Sequence, residues 1–146
     1  MADYYELLVK EYLEQKGFAV RLNVRFLKTI GYSDIDVLAI NPTERAVIVG
    51  EVKAPSLGRK EIEHENVDFN DIHLQNKVKE LIGNTNFSKY IFCWAVDDKV
   101  RDYALRNFQI YIVQFWEIIN YFIEKVTSIR QKNRWIYDQS YPNTML

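Results

Sequence analysis

The chain has 146 residues, 48% of them apolar and 14% aromatic, which is enough for one folded domain with a real core and too much for a disordered chain. Its net charge of −1 excludes a uniformly basic nucleic-acid binder, although the charge is uneven. Residues 1–60 carry nine Lys/Arg against eight Asp/Glu, residues 61–98 three against eight, and residues 99–146 seven against four. The single cysteine, Cys93, lies in an apolar run and reads as a buried thiol of a reducing compartment. His64 and His73 stand alone, so no zinc-type spacing exists. No apolar run approaches a membrane span, and Met1-Ala2-Asp3-Tyr4 does not open like a signal peptide, so a cytoplasmic protein is expected.

Asp3 to Lys16 carries Tyr5, Leu8, Val9, Tyr12 and Leu13 at helical spacing, with Gly17 as the stop. The stripe leaves Leu7 exposed and turns Glu11 and Glu14 away. Glu6 sits on its border, where it can face a sheet or serve as an ordinary boundary residue. Phe18–Lys28 alternates loosely and is expected to be a strand. Its Arg21, Arg25 and Lys28 can reach a phosphate backbone or form a solvated face. Gly31, in the loop that follows, lets the backbone pass close to a ligand.

Two β-branched runs follow, Val37–Ile40 and Ala46–Val49, separated by Asn41-Pro42-Thr43-Glu44-Arg45. They read as a hairpin. If the loop is Pro42–Arg45, Asn41 pairs with Ala46. Asp36 then falls opposite Glu51, and Asp34 opposite Lys53. Directly opposed side chains have Cβ atoms roughly 5 Å apart. Two opposed carboxylates repel, but a hard divalent cation would reverse the sign of their interaction. Lys53 lies on the same face as Glu51, where an ammonium can act on an attacking water or a phosphate oxygen.

The stretch Asp34–Lys53 resembles the core motif of the PD-(D/E)xK nuclease superfamily, the restriction-endonuclease-like fold of archaeal Holliday junction resolvases and Mrr-type enzymes. The acid before the first apolar strand corresponds to Asp36, and the acid-x-Lys to Glu51-Val52-Lys53. The Pro that names the motif is absent, because Ile35 precedes Asp36. The resemblance implies a metal site of Asp36 and Glu51, with the carbonyl of Val52 and with Glu6, since the family often has a Glu in its first helix ahead of a Tyr-Leu pair and a Gly. Here those are Glu6, Tyr12-Leu13 and Gly17.

Residues 54–68 are weakly patterned and are expected to form a loop, a lid or a DNA-facing segment. In it Arg59 and Lys60 are candidate phosphate contacts, and the acidic run Glu61–Asp68 reads as solvated surface. Asp71–Ile82 is expected to be a helix with Leu74, Val78, Leu81 and Ile82 inward and Gln75 at the stripe's edge. The resemblance gives that amide a place facing the site; a structural amide tied to backbone is the other reading. Lys89–Val96 reads as a buried central strand. A helix capped by Asp97 or Asp98 follows, then a strand at Ile110–Val113. A helix from Phe115 to about Ile129 has Trp116, Ile119, Phe122, Ile123 and Val126 as its stripe. The tail to Leu146 carries Arg130, Lys132, Arg134, Trp135 and Tyr137, a pattern suited to base stacking or to packing on a second subunit.

The order of elements predicts an α/β fold, a central mixed β-sheet flanked by helices, in a single domain of residues 1–146. The resemblance extends this to an αβββαβ core over about residues 3–115, with a C-terminal helix and basic, aromatic tail over 116–146. The expected activity is that of a Mg²⁺-dependent deoxyribonuclease, with Mn²⁺ able to substitute. Asp36, Glu51, Lys53, Gln75 and Glu6 are its catalytic set, and Arg59, Lys60, Arg25 and Lys28 its nucleic-acid contacts. DNA, branched DNA included, is the expected partner, and a homodimer the expected assembly. A nuclease-fold module that binds DNA or a larger enzyme without turnover, and an RNA-cleaving enzyme, are the alternatives.

Overall fold

The computed structural model describes residues 3–140, with side chains as far as residue 133. The first helix, α1 (Tyr4–Gln15), begins where the Asp3 carboxylate accepts the Glu6 N–H at 2.8 Å. It buries Val9 and Leu13 and leaves Leu7 exposed, as its periodicity predicts. Strands β1 (Ala19–Leu27), β2 (Tyr32–Asn41) and β3 (Ala46–Lys53) form an antiparallel meander. Helices α2 (Arg59–Phe69) and α3 (Ile72–Ile82) lead to β4 (Ser88–Cys93), which pairs parallel with β3. Helix α4 (Asp98–Phe108), capped by Asp97, leads to β5 (Ile110–Gln114), parallel to β4, and α5 (Phe115–Ser140) follows directly. The sheet order is β1-β2-β3-β4-β5.

This is the predicted mixed sheet with helices on both faces. One core holds Ile35, Leu38, Val49 and Ile91 against Ile62 and Phe69 of α2 and Leu74 and Val78 of α3. The other holds Val37, Ala39, Ile48 and Phe92 against Val9 and Leu13 of α1 and Phe115 and Ile118 of α5. Cys93 is buried as expected, and burial pushes its thiol up to about 11. Among the described residues, no helix is long and apolar enough to cross a membrane.

Residues two apart on a regular strand share a face. In β1, Val20 and Leu22 pack on the α1/α5 side, but Val24 and Phe26 on the other. In β2, Ile35 and Val37 are divided the same way. Both strands therefore turn over once, at Asn23 and Asp36, which the register Leu22↔Val37 and Val24↔Ile35 sets opposite each other. Asn23 does this with φ of 53°, a left-handed conformation that Asn tolerates better than most residues.

Three expectations are corrected. Residues 59–69 are helix, not loop. The Gly58 N–H donates to Glu61 Oε2 at 3.1 Å, and Ile62, Glu65 and Phe69 form the buried stripe. A carboxylate at the centre of that stripe disguises its periodicity. Secondly, α5 continues to Ser140, and of its predicted stripe only Phe122 packs on the core. Trp116, Ile119, Ile123 and Val126 are exposed, and Phe115 and Ile118 are buried in their place. The side chains of Arg134, Trp135 and Tyr137, and the chain beyond Ser140, lie outside the described residues, so the base-stacking reading of the tail falls there. Thirdly, the buried strand expected over Lys89–Val96 ends at Cys93; Val96 N–H turns instead to Gln114 Oε1 at 3.1 Å.

Candidate functional site

The β2–β3 ladder runs from Asn41↔Ala46 to Val37↔Gly50, the register that the four-residue loop predicts. The next pair in that register is Asp36 and Glu51. Beyond it the two strands part. Asp36 Oδ2 accepts the Val52 N–H at 2.9 Å, so the side chain takes the place a ladder carbonyl would fill. Here β2 belongs to β1 alone. Asp34 pairs with Arg25, whose guanidinium lies 3.7 Å away, and not with Lys53 as expected.

Gly50 sits at this seam. A Cβ there would meet Phe92 Cε2 at 2.9 Å and Val37 Cβ at 3.4 Å. The absent side chain lets β3 settle on the buried Phe92 ring.

Glu51 lies against Asp36 at this seam. Burial pushes the Glu51 carboxyl up to about 10, the Asp36 charge and the hydrogen bond between the two groups push the same way, and Glu65 adds to it; Lys53 opposes. Glu51 thus keeps its proton well above the usual carboxylate range, with Asp36 as its hydrogen-bond partner. Burial works against the Lys53 ammonium, but the hydrogen bond and charge of Glu65, with Glu51 and Asp36 behind, outweigh it and its proton is held more tightly than usual. Lys53 Nζ stands 3.1 Å from Glu65 Oε1.

Glu65 corrects the reading of the acidic run as solvated surface. It is 4% exposed, and its Oε2 is buried with no hydrogen-bond partner. A buried carboxylate left half satisfied costs stability, and the Lys53 ammonium is its charge partner in the structure. The signal in the sequence is its place three residues after Ile62 and four before Phe69, the interior line of a helix.

Glu6 does face the sheet. Burial raises its carboxyl, the Asn23 side chain bonds to it and opposes that shift, and the charges of Asp3 and Asp36 raise it further. Its Oε2 is also buried without a partner. Glu6 therefore approaches Asp36 from the α1 side, through the position where both strands turn over.

A cavity of about 150 Å³ opens at this seam, lined by Asp34, Glu51, Lys53, Lys28, Asp68 and Asp71 among others. On the other side of Lys53 a second opening of about 450 Å³ is lined by Lys60, His64, Glu61 and Glu65. Gln75 is half-buried, and Leu74 of its helix, not Gln75, lines the smaller cavity. The expected phosphate contacts are spread out. Lys28 is 4.0 Å from Asp71, Arg25 is held by Asp34, Lys60 lines the larger opening, and Arg59 lies over the Tyr103 ring at 4.9 Å.

Two carboxylates with half-buried oxygens are a donor set that suits a hard cation, which takes one or two carboxylates and retains waters. Among the described residues no group of three or more His, Cys, Asp and Glu side chains is arranged to hold a metal ion.

No protein-family model and no curated protein matches the chain. Among solved structures it is similar to a protein of unknown function, AF1548, with 18% identity and a TM-score of 0.57 over 81% of this chain and 66% of that one. A repair endonuclease from Pyrococcus abyssi matches with 15% identity and a TM-score of 0.46 over 74% of this chain and 43% of that one. The chain thus spans less than two thirds of the length of either. The likeness to AF1548 is one of fold: an α/β architecture with the sheet between its helices.

Proposed function

We propose that the protein is a metal-dependent nuclease of the PD-(D/E)xK kind that hydrolyses DNA phosphodiester bonds. The observation that carries this is Asp36 set against Glu51 where the β2–β3 ladder opens, with Glu51 and Lys53 of the same strand walling one cavity. A bound Mg²⁺, or Mn²⁺, would supply Lewis acidity to the phosphoryl group and lower the proton affinity of water. Asp36 and Glu51 would hold it, and Glu51 would give up its proton on doing so. The Asp36 carboxylate is oriented for this by the Val52 N–H. Lys53, kept protonated by Glu65, offers its charge to the phosphoryl oxygens as negative charge develops on them. Glu6 places a third carboxylate behind Asp36, where it can take a proton or hold a water. The apolar line Trp116, Ile119, Ile123 and Val126 suits a homodimer, whose two sites would cut two strands.

A module that binds nucleic acid without turnover is the second reading. It is favoured by the hold of Glu65 on Lys53, which ties the ammonium to α2.

The test is incubation with linear, flapped and four-way-junction DNA, and with RNA, in Mg²⁺, Mn²⁺ or EDTA. Cleavage of DNA in Mg²⁺ that is absent in EDTA and lost in Asp36→Ala is the expected result. Asp36→Ala should also lose any rise in melting temperature that Mg²⁺ gives the parent. Binding without cleavage on every substrate would leave the second reading standing; cleavage of RNA alone would move the activity to another substrate.

A further inference from the structure

The turn between β1 and β2 exposes three large apolar side chains within six residues: Leu27 at 63%, Ile30 at 91% and Tyr32 at 67%. Neither core uses Ile30 or Tyr32. We propose that this turn is a wedge that stacks against an unpaired or unstacked nucleotide, so that the site acts on DNA with single-stranded or branched segments in preference to continuous duplex. The inference rests on the nuclease reading and names its substrate class.

The turn is braced. The Lys28 N–H donates to the Gly31 carbonyl at 3.0 Å, and Gly31, with φ of 75°, closes the bend. Thr29 Oγ1 is 3.1 Å from His73 Nε2 of α3, and Lys28 Nζ is 4.0 Å from Asp71. An apolar side chain presented on a fixed turn loses little freedom when it inserts, and apolar wedges between base steps are a recurrent device for opening nucleic acid.

The surroundings suit a nucleotide. The Arg25 guanidinium lies 5.5 Å from the centre of the Tyr32 ring and is 70% exposed, within reach of a phosphate on the strand whose base stacks there. Behind the ring, an open depression of about 420 Å³ is lined by Tyr32, Phe26, Arg25, His73, Asn76 and Lys77. Its amide and imidazole can meet the polar edge of a base, and its rings the base's face. Lys28 of the turn and Ser33 and Asp34 of β2 wall the carboxylate cavity, and Phe26 lines both spaces. The two spaces therefore adjoin, and a strand whose nucleotide is seated on the turn would lead toward Glu51 and Lys53.

Binding in EDTA separates this from the hydrolytic reading. Fluorescence anisotropy would compare a blunt duplex with the same duplex carrying a single-stranded flap, with 2-aminopurine at the first unpaired position. The proteins would be the parent, the double variant Ile30→Ala/Tyr32→Ala and, as a control on a remote exposed side chain, Leu105→Ala. All three should melt alike. The double variant should bind flapped DNA about tenfold more weakly and lose the 2-aminopurine quenching, with duplex binding and the control unchanged. Equal binding of flapped DNA by parent and double variant overturns the wedge, as does an equal loss on duplex and flap, which would make the turn a general backbone contact. A parent that cuts no DNA but discriminates flap from duplex through Ile30 and Tyr32 sinks the hydrolytic reading and upholds the wedge. A parent that binds neither DNA refutes the wedge.

Discussion

Glu51→Gln is expected to stabilise the protein in the absence of divalent cations, by an amount that grows with pH. In the folded chain the Glu51 carboxyl is raised from the ordinary 4.5 to about 10, by burial first and by Asp36 next. Below pH 4.5 both the folded and the unfolded chain hold the proton, and the site contributes all it can. Above 4.5 the unfolded chain releases the proton and the folded chain keeps it, so stability falls with pH until the folded group titrates. Each pH unit in that window is about 1.4 kcal/mol. From pH 5 to pH 8 the ceiling is therefore about 4 kcal/mol, and penetration of water beside a half-buried pair brings a realistic loss to about 2 kcal/mol. Glutamine keeps the volume, offers an N–H to Asp36 and does not titrate. Thermal melts in EDTA should show parent and variant nearly together at pH 5 and the variant higher at pH 8, by about 6 °C for a chain of this length. Mg²⁺ should then raise the parent and not the variant. A gap of the same size at both pH values, or a variant less stable than the parent at pH 8, would refute the account of a proton held on Glu51.

Lys53→Met keeps the aliphatic stem and removes the charge; cleavage should slow by at least about 10²-fold, near 2.7 kcal/mol in the barrier, with DNA binding retained, and a variant that cuts as fast as the parent removes Lys53 from the mechanism. Glu6→Gln should lower cleavage with little change in melting, whereas Glu11→Gln and Glu14→Gln, on the exposed side of α1, should change neither; identical rates in all three return Glu6 to an ordinary boundary role. Gly50→Ala places a methyl 2.9 Å from the buried Phe92 ring. Overpacking of about 1–3 kcal/mol, less about 0.4–1 kcal/mol for the stiffer unfolded chain, leaves about 1–2 kcal/mol of destabilisation in urea melts, and an unchanged midpoint would show that the ring can move aside.

The hairpin was legible because a turn-forming loop between two β-branched runs leaves few ways to pair them, and side-chain alternation does the rest. Asp36 opposite Glu51 followed from that alone. The error over Asp34 came one step further on, where alternation ceases to apply: Asn23 and Asp36 turn their strands over, and no local pattern announces a left-handed Asn. Helix α2 was hidden by its buried carboxylate, since Glu65 puts a charge on the line that Ile62 and Phe69 define. In α5 two adjacent lines are equally apolar. Phe115, Ile118 and Phe122 face the sheet, and Trp116, Ile119 and Ile123 do not; periodicity finds both lines and cannot choose between them. The choice is made by the direct junction of β5 and α5, which fixes the helix's rotation. Glu6 was legible because α1 is ordinary: one stripe, one cap and one acid on the border.

The bond from the Val52 N–H to Asp36 also equips the molecule with a built-in reporter. A backbone amide whose acceptor is a carboxylate oxygen resonates according to what else that carboxylate is doing. Replacing its contact with Glu51 by any other partner would move one assigned cross-peak in a nitrogen–proton spectrum. Titrating candidate ligands against that single signal would show which of them reach Asp36, with no turnover required and no substrate known in advance.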